Sequence, residues 1–435
     1  MNMAGGEQGM EGSGIGAMLR HKRVLAASLI GTAVEFYDFY IYATAASLIF
    51  PSLFFPASSP TAQLMASYGS LALAFFARPV GAAVFGHYGD RIGRKATLVA
   101  SLMLMGGCTL AIGFLPTYQM IGWWAPLILC VLRFGQGFGL GGEWGGAALL
   151  AVENAPPGWR ARFGMFPQLG APVGFIAANG LFLLLGIFLS DQDFFAWGWR
   201  LPFLGSAVLV ILGLWIRLKL TETPEFAAAR AEAPPPAVPL ATLFRSHLGA
   251  AIAGTFACAA CFAVYYIATA FALGYGTTTL KIDRETFLAI QLGAILFMAA
   301  SIIIAGWWSD RSSPTRVLVA GCIGTALMGM IFGPAIGTGQ LLPIFLILSL
   351  ALFLMGFVYG PLGAYLPHLF PVQLRYTGAS FAFNLGGIIG GALAPIVATW
   401  LIGMQGVALV GLYMSAAAAI SLGGLWFTSR NQGRQ

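Results

Sequence analysis

Twelve apolar runs divide this chain, at 24–50, 62–87, 96–116, 123–152, 163–189, 199–218, 247–275, 286–308, 316–338, 342–368, 377–402 and 406–427. A membrane-crossing helix needs about 20 mostly apolar residues, and each run supplies roughly that many. A soluble domain carries roughly 25% charged residues. Here only 9% of residues are charged and 58% are hydrophobic. So few charges cannot cover the surface of a soluble fold of this length, so the bilayer is its solvent. The runs are continuous rather than alternating, which points to helices and not barrel strands. The first run is too long for the core of a signal peptide and is read as a retained helix.

Lysine and arginine set the expected orientation. Arg200, Lys281 and Arg284 fall on one side, and Arg78 and Arg133 fall inside spans. All remaining positive charges lie on the side of the two termini, so that side is read as cytoplasmic. The same bias accounts for the net charge of +7 and gives no reason to expect a nucleic-acid partner. Residues 1–19 are glycine-rich and polar and are expected to be disordered. Residues 20–218 then form six spans, 219–246 a polar linker, 247–428 six more spans and 429–435 a short tail. The linker reads as a brief amphipathic helix around Thr221–Phe226, followed by an extended stretch through Pro234, Pro235 and Pro236.

The two halves share a turn. Gly86-His-Tyr-Gly-Asp90-Arg91-Ile-Gly-Arg94-Lys95 follows the second span, and Gly306-Trp-Trp-Ser-Asp310-Arg311 follows the second span of the second half. A charged turn repeated between apolar helices marks a duplicated unit. Such halves rock against each other around a central site. In the first turn Asp90, at a helix end, can accept hydrogen bonds from a neighbouring helix N-terminus and pair with Arg91 or Arg94 as a latch. Gly86, Asp90, Arg91, Arg94, Asp310 and Arg311 are therefore expected to gate. The second turn lacks the Gly-Arg pair of the first, so its gate is expected to be looser.

Charges inside the bilayer persist where they pair or work. Glu35, Asp38, Arg78, Arg133 and Glu143 are such charges, and all lie in the first half. Glu35, Asp38 and Tyr42 share one helix face. Two carboxylates one turn apart repel, which favours a proton on one of them. They are proton-carrier candidates, or else a structural pair neutralised by Arg78 or Arg133. Glu143 and His87 are further titratable candidates. Arg133 and Gln136 also share a face, and a guanidinium suits a carboxylate bidentately. A substrate anion, or a fixed pair with Glu35, Asp38 or Glu143, would satisfy Arg133. Arg78 sits near the bilayer midplane before Pro79, in contact with substrate or supporting the kinked backbone. Tyr265, Tyr359 and Asn384 are polar candidates in the second half, and Gln168 in the fifth span. Cys258 and Cys261 form a C-x-x-C with no histidine or acidic neighbour, and read as packing residues. No phosphate-cradling loop, zinc spacing or catalytic triad stands out, so the chain is not expected to be an enzyme or to need a cofactor.

Several motifs in register narrow the class. They are Glu35-Phe-Tyr-Asp38-Phe-Tyr40, Arg78-Pro79-Val-Gly81, Arg133-Phe-Gly-Gln-Gly137, Gly141-Gly-Glu-Trp-Gly-Gly146, Trp199-Arg-Leu-Pro-Phe203, Glu222-Thr-Pro-Glu-Phe226, Tyr359-Gly-Pro361, Leu369-Phe-Pro371 and Arg375-Tyr-Thr-Gly378. With the repeated turn and the six-plus-six plan, the chain resembles the metabolite:proton symporter branch of the major facilitator superfamily. The resemblance implies an all-α membrane protein of twelve transmembrane helices in two pseudo-symmetric six-helix halves. It also implies a multi-pass protein of the bacterial inner membrane, able to work as a monomer. The expected activity is proton-coupled uptake of a small carboxylate metabolite. Arg133, Gln136 and Arg78 would hold the anion, and Glu35 or Asp38 the proton. Two alternatives stay open. One is a betaine or proline symporter with an aromatic cage of Tyr37, Tyr40 or Tyr265. The other is a proton/drug antiporter. Osmosensing members carry a long charged C-terminal coil, which the residues after the last run do not supply.

Overall fold

The computed structural model describes residues 14, 16–56, 59–92, 94–141, 143–219 and 239–432. Among them, ten helices are long and apolar enough to cross a membrane. An eleventh is the pair Asp191–Gly198 and Arg200–Trp215, bent by 45°, and the shorter apolar helix Val99–Gly113 makes the twelfth. In chain order the spans are α1 (Lys22–Leu48), α2 (Pro60–Ile92), α3 (Arg94–Gly113), α4 (Trp124–Glu153), α5 (Arg160–Phe188) and α6 (Arg200–Lys219). The second half follows with α7 (Leu248–Thr278), α8 (Arg284–Arg311), α9 (Pro314–Ile336), α10 (Leu341–His368), α11 (Arg375–Met404) and α12 (Ala408–Gln432). Turn chemistry sets some of these ends. Ser313 accepts from the Arg316 N–H at 3.2 Å and Pro314 opens α9, a serine cap followed by a proline where no amide partner is needed.

Large apolar side chains such as Leu184, Ile187, Val208, Ile211, Leu327 and Met330 lie on the outside, where a soluble protein would carry charge. The most apolar window of α7 is 94% buried, while those of the nine other long single-helix spans are 39–56% buried, so α7 runs through the middle of the bundle. It is not a plain helix there. Residues Ile267–Phe271 form a π-helical turn, which frees carbonyls from the usual ladder. Gln291 on α8 donates to two of them, Ala268 O at 3.0 Å and Thr269 O at 2.8 Å. Gln291→Leu would remove the side-chain donor from both; Thr269 O keeps the Ala272 N–H, so the cost, about 1–3 kcal/mol, falls mainly on Ala268 O. A clear fall in thermal unfolding temperature is expected, and an unchanged value would show that these carbonyls find other partners.

Glycines set the crossing of α2 and α4, which carries the two intramembrane arginines. A methyl group at Gly137 would strike the Ala74 carbonyl, one at Gly141 the Arg78 carbonyl, and one at Gly81 the Phe138 carbonyl. Backbone thus meets backbone at three points, the close approach that small residues permit in membranes. Gly141→Val would force the helices apart. Overpacking costs about 1–3 kcal/mol where the surroundings can yield, and backbone yields little. Loss of monodisperse protein from detergent is the expected result.

Two expectations at the ends of the halves change. Residues 16–20 are helical and Ala17 is buried beside Leu25, Trp159 and Phe163, so the tail is ordered where apolar surface is available to cover. Residues 239–246, expected within an extended linker, form the helix Pro239–Ser246, with Phe244 edge-on to Phe381. The rest of residues 1–19 and the linker region 220–238 lie outside the described residues.

Candidate functional site

The two intramembrane arginines converge on Phe39 of α1. The Arg133 guanidinium carbon lies 4.2 Å from the centre of its ring and that of Arg78 lies 4.5 Å from it. Arg133 also stands 4.0 Å from the Tyr42 ring, and Arg78 4.9 Å from Phe75. Ring faces are negative, so they ease the burial of guanidinium groups that have left water. Arg133, Asp38 and Gln136 are fully buried, and Glu35 and Arg78 are each 7% exposed. Glu35 is close enough for its charge to act on Arg78 and on Tyr359.

Hydrogen bonds join Asp38 to Arg133 through two other side chains. Arg133 Nη1 donates to Gln136 Oε1. Gln136 Nε2 donates to Thr109 Oγ1 at 2.7 Å and lies 3.3 Å from the Asp38 carbonyl. The Thr109 hydroxyl in turn lies 3.3 Å from Asp38 Oδ2. Arg133 Nε and Nη2 and Arg78 Nε have no hydrogen-bond partner among the described residues. A buried donor with nothing to bind is costly, and this group holds several facing the centre of a bundle.

Aromatic rings from both halves close around these donors. Tyr40 stacks on Tyr265 with centroids 5.2 Å apart, and Phe39 and Phe75 both meet Tyr266 edge-on. Trp144 lies flat on Phe383 at 3.7 Å. The other predicted residues are committed to protein. Gln168 accepts from Trp144 Nε1 at 3.1 Å and donates to Tyr359 O at 2.8 Å, bracing the two halves. Asn384 donates to Gly141 O at 3.0 Å, a second brace. Tyr37 donates to Pro202 O on α6 at 2.9 Å. A substrate role for these three would require those bonds to break. The side chains of Gly86, His87, Asp90, Arg91, Arg94 and Glu143 lie outside the described residues.

Contacts join the two halves at both ends of the bundle. At the end that carries the termini, Asp310 accepts from the Ala161 N–H at 2.8 Å and the Arg162 N–H at 3.0 Å, and pairs with Arg162 Nε at 3.2 Å. It is the kind of clasp expected at Asp90, found here at the matching Asp310 of the second turn. The second turn, expected to be loose, is held by three contacts, because the backbone of α5 supplies donors that no side-chain motif announces. Arg311 lies outward, over Trp307 at 4.9 Å. At the opposite end, Tyr68 and Ser47 of the first half donate to Ala270 O, within the π-turn of α7, at 2.7 and 3.0 Å. Arg284 bonds Asp191 there at 2.8 Å.

Comparison with known proteins agrees. Residues 24–234 match the family described as "Sugar (and other) transporter". The chain is 48% identical over 411 residues to the inner membrane metabolite transport protein YhjE of Escherichia coli (strain K12), covering 93% of each. It is 36% identical to the shikimate transporter of the same organism, over 89% of each chain. It is 31% identical to a putative proline/betaine transporter of Staphylococcus aureus (strain COL), over 92% of this chain and 86% of the other. In fold it is similar to the major facilitator superfamily proton:xylose symporter XylE, with TM-score 0.69 at 14% identity over 93% of this chain and 94% of that one. The chain belongs to the major facilitator superfamily. This facilitator is a multi-pass membrane transporter of small molecules and not an enzyme.

Sequence reasoning found most of this facilitator's central charges but missed Thr109, Phe39, Phe75 and Trp144. Thr109 stands in Gly-Gly-Cys-Thr-Leu-Ala with no charged or aromatic neighbour to flag it. Phe39 lies between two motif residues, Asp38 and Tyr40, and only the three-dimensional approach of α2 and α4 gives it a role. Arg162 was legible only as one more positive charge near a helix end.

Proposed function

We propose that this protein is a proton-coupled symporter that takes up a small carboxylate metabolite across a bacterial inner membrane, with both termini in the cytoplasm. The observation that carries the reading is Arg133, fully buried at the centre of the bundle with Nε and Nη2 unspent. A buried cation with open donors is satisfied by an anion that arrives from outside, and a guanidinium grips a carboxylate with two parallel bonds. Arg78, on the same phenyl ring, adds a second positive charge. Asp38 is the proton carrier in this scheme, with Glu35 near Arg78 as the neighbouring acid. While Asp38 is ionised, its charge competes with the substrate for the positive field of the arginines. Once it is protonated, the substrate anion takes over that field. The loaded site and the empty, ionised site then have matched charge, and either can be closed in by the aromatic rings while the halves rock.

A zwitterion remains the second reading, favoured by the Tyr40–Tyr265 stack beside the arginines. A carboxylate on Arg133 and a quaternary ammonium against those rings would use both features.

Reconstituted vesicles with a pH dye inside test the proposal. A panel containing shikimate, 2-oxoglutarate, citrate, proline and glycine betaine is added outside. Lumenal acidification by one or more of the acids, absent from empty vesicles, is expected. Acidification by betaine or proline alone would favour the zwitterion, and no acidification by any acid would count against the carboxylate reading.

A further inference from the structure

We propose that Thr109 is a positioning residue that passes the protonation state of Asp38 to Arg133. The inference rests on the reading of Asp38 as proton carrier and adds the path by which the anion-binding arginine learns of the proton. The path is short and fully buried. Asp38 Oδ2 lies 3.3 Å from Thr109 Oγ1, which accepts from Gln136 Nε2 at 2.7 Å, and Gln136 Oε1 accepts from Arg133 Nη1. Asp38 has further contacts of its own, and this chain of side chains adds to them a route that ends on the guanidinium.

The hydroxyl has one proton and two acceptors within reach, Met105 O at 2.9 Å and Asp38 Oδ2 at 3.3 Å. It can serve one of them at a time. An ionised Asp38 draws the proton, because a bond to a carboxylate is stronger than one to a neutral carbonyl. An oxygen that donates to an anion becomes a better acceptor, since bonds in a chain polarise one another. Gln136 is then held firmly by Thr109, and its Oε1 stays aimed at Arg133. When Asp38 is protonated it becomes a donor itself. The Thr109 hydroxyl turns to Met105 O, its oxygen accepts from Asp38, and its hold on Gln136 weakens. Gln136 Nε2 then keeps only its bond to the Asp38 carbonyl, at 3.3 Å, and the amide can turn about it, which releases Arg133 Nη1 for an incoming carboxylate. Valine has the shape of threonine but cannot take part, and serine can.

Infrared difference spectroscopy of the lipid-reconstituted protein, stepped from alkaline to acid buffer with protons as the only probe, tests this. The carboxyl band lost in Asp38→Asn reports Asp38. The guanidinium bands lost in Arg133→Lys report Arg133. In the wild type both are expected to respond to the step. In Thr109→Val the Asp38 band is expected to persist while most of the Arg133 response disappears, and Thr109→Ser is expected to restore it. Gln136→Met cuts the next link and is expected to give the same split, which keeps the test decisive if the valine variant does not fold. A full Arg133 response in either Thr109→Val or Gln136→Met would overturn the relay and leave Asp38 as proton carrier. An acid step with no Asp38 band in the wild type would overturn both.

Discussion

Arg133→Ala is expected to abolish the proposed proton-driven carboxylate uptake, and Arg133→Lys is not expected to restore it. The guanidinium has no exposure to solvent and lies against the rings of Phe39 and Tyr42. Its Nη1 is spent on Gln136 while Nε and Nη2 remain open. Removing one partner of a buried, hydrogen-bonded charge pair costs about 2–5 kcal/mol. At about 1.4 kcal/mol per factor of ten, this is a loss of roughly thirtyfold to several thousandfold in apparent affinity. Lysine keeps the charge but presents a point rather than a planar fork, and it stacks less well on the two rings. Uptake by vesicles is the measurement. An alanine variant that retains uptake within about threefold of wild type would lie below that range and take the substrate away from Arg133.

Asp310→Ala is the second large effect, and it acts on conformation rather than on binding. Asp310 satisfies two backbone N–H groups at the start of α5 and the Arg162 guanidinium, with both side chains about 5% exposed. Breaking such a pair leaves an uncompensated buried charge and costs about 3–5 kcal/mol in the closed state. Opening that end lets water reach Arg162, so the cost falls on one conformation only and shifts the equilibrium towards the state open at the termini. Spin labels placed across α5 and α8 at that end would report a longer distance in the variant. An unchanged distance distribution would show that the inter-half braces at Gln168 and Asn384 hold the end shut without Asp310.

The fold was legible because a bilayer imposes a simple rule on sequence. Long apolar runs with positive charge on one side leave few alternatives, and the span positions fall within a few residues of the helices. Interior charges were legible for the same reason, since Glu35, Asp38, Arg78 and Arg133 are too costly in lipid to be incidental. What could not be read was the set of groups that give those charges their partners. Thr109 and Phe39 are ordinary residues of an apolar helix until α2, α3 and α4 pack against α1. The close crossing at Gly81, Gly137 and Gly141 sets that packing, and its geometry depends on backbone contacts far apart in sequence. A clasp of this type was expected at Asp90, whereas the one at Asp310 uses backbone amides of α5, which no residue pattern marks. The π-turn in α7 was equally silent, and Gln291, expected only as a polar side chain in a span, proves to hold its carbonyls.

The most direct test of the carboxylate–proton scheme is thermal unfolding of the detergent-purified protein with the same metabolite panel, in acid and in neutral buffer, for wild type and Arg133→Ala. A ligand that binds the folded state raises the unfolding temperature by mass action. Stabilisation by a carboxylate, larger in acid and lost with Arg133, is the predicted result. Stabilisation by betaine that is indifferent to Arg133 would contradict it and reassign the acidic pair of α1 to cation binding.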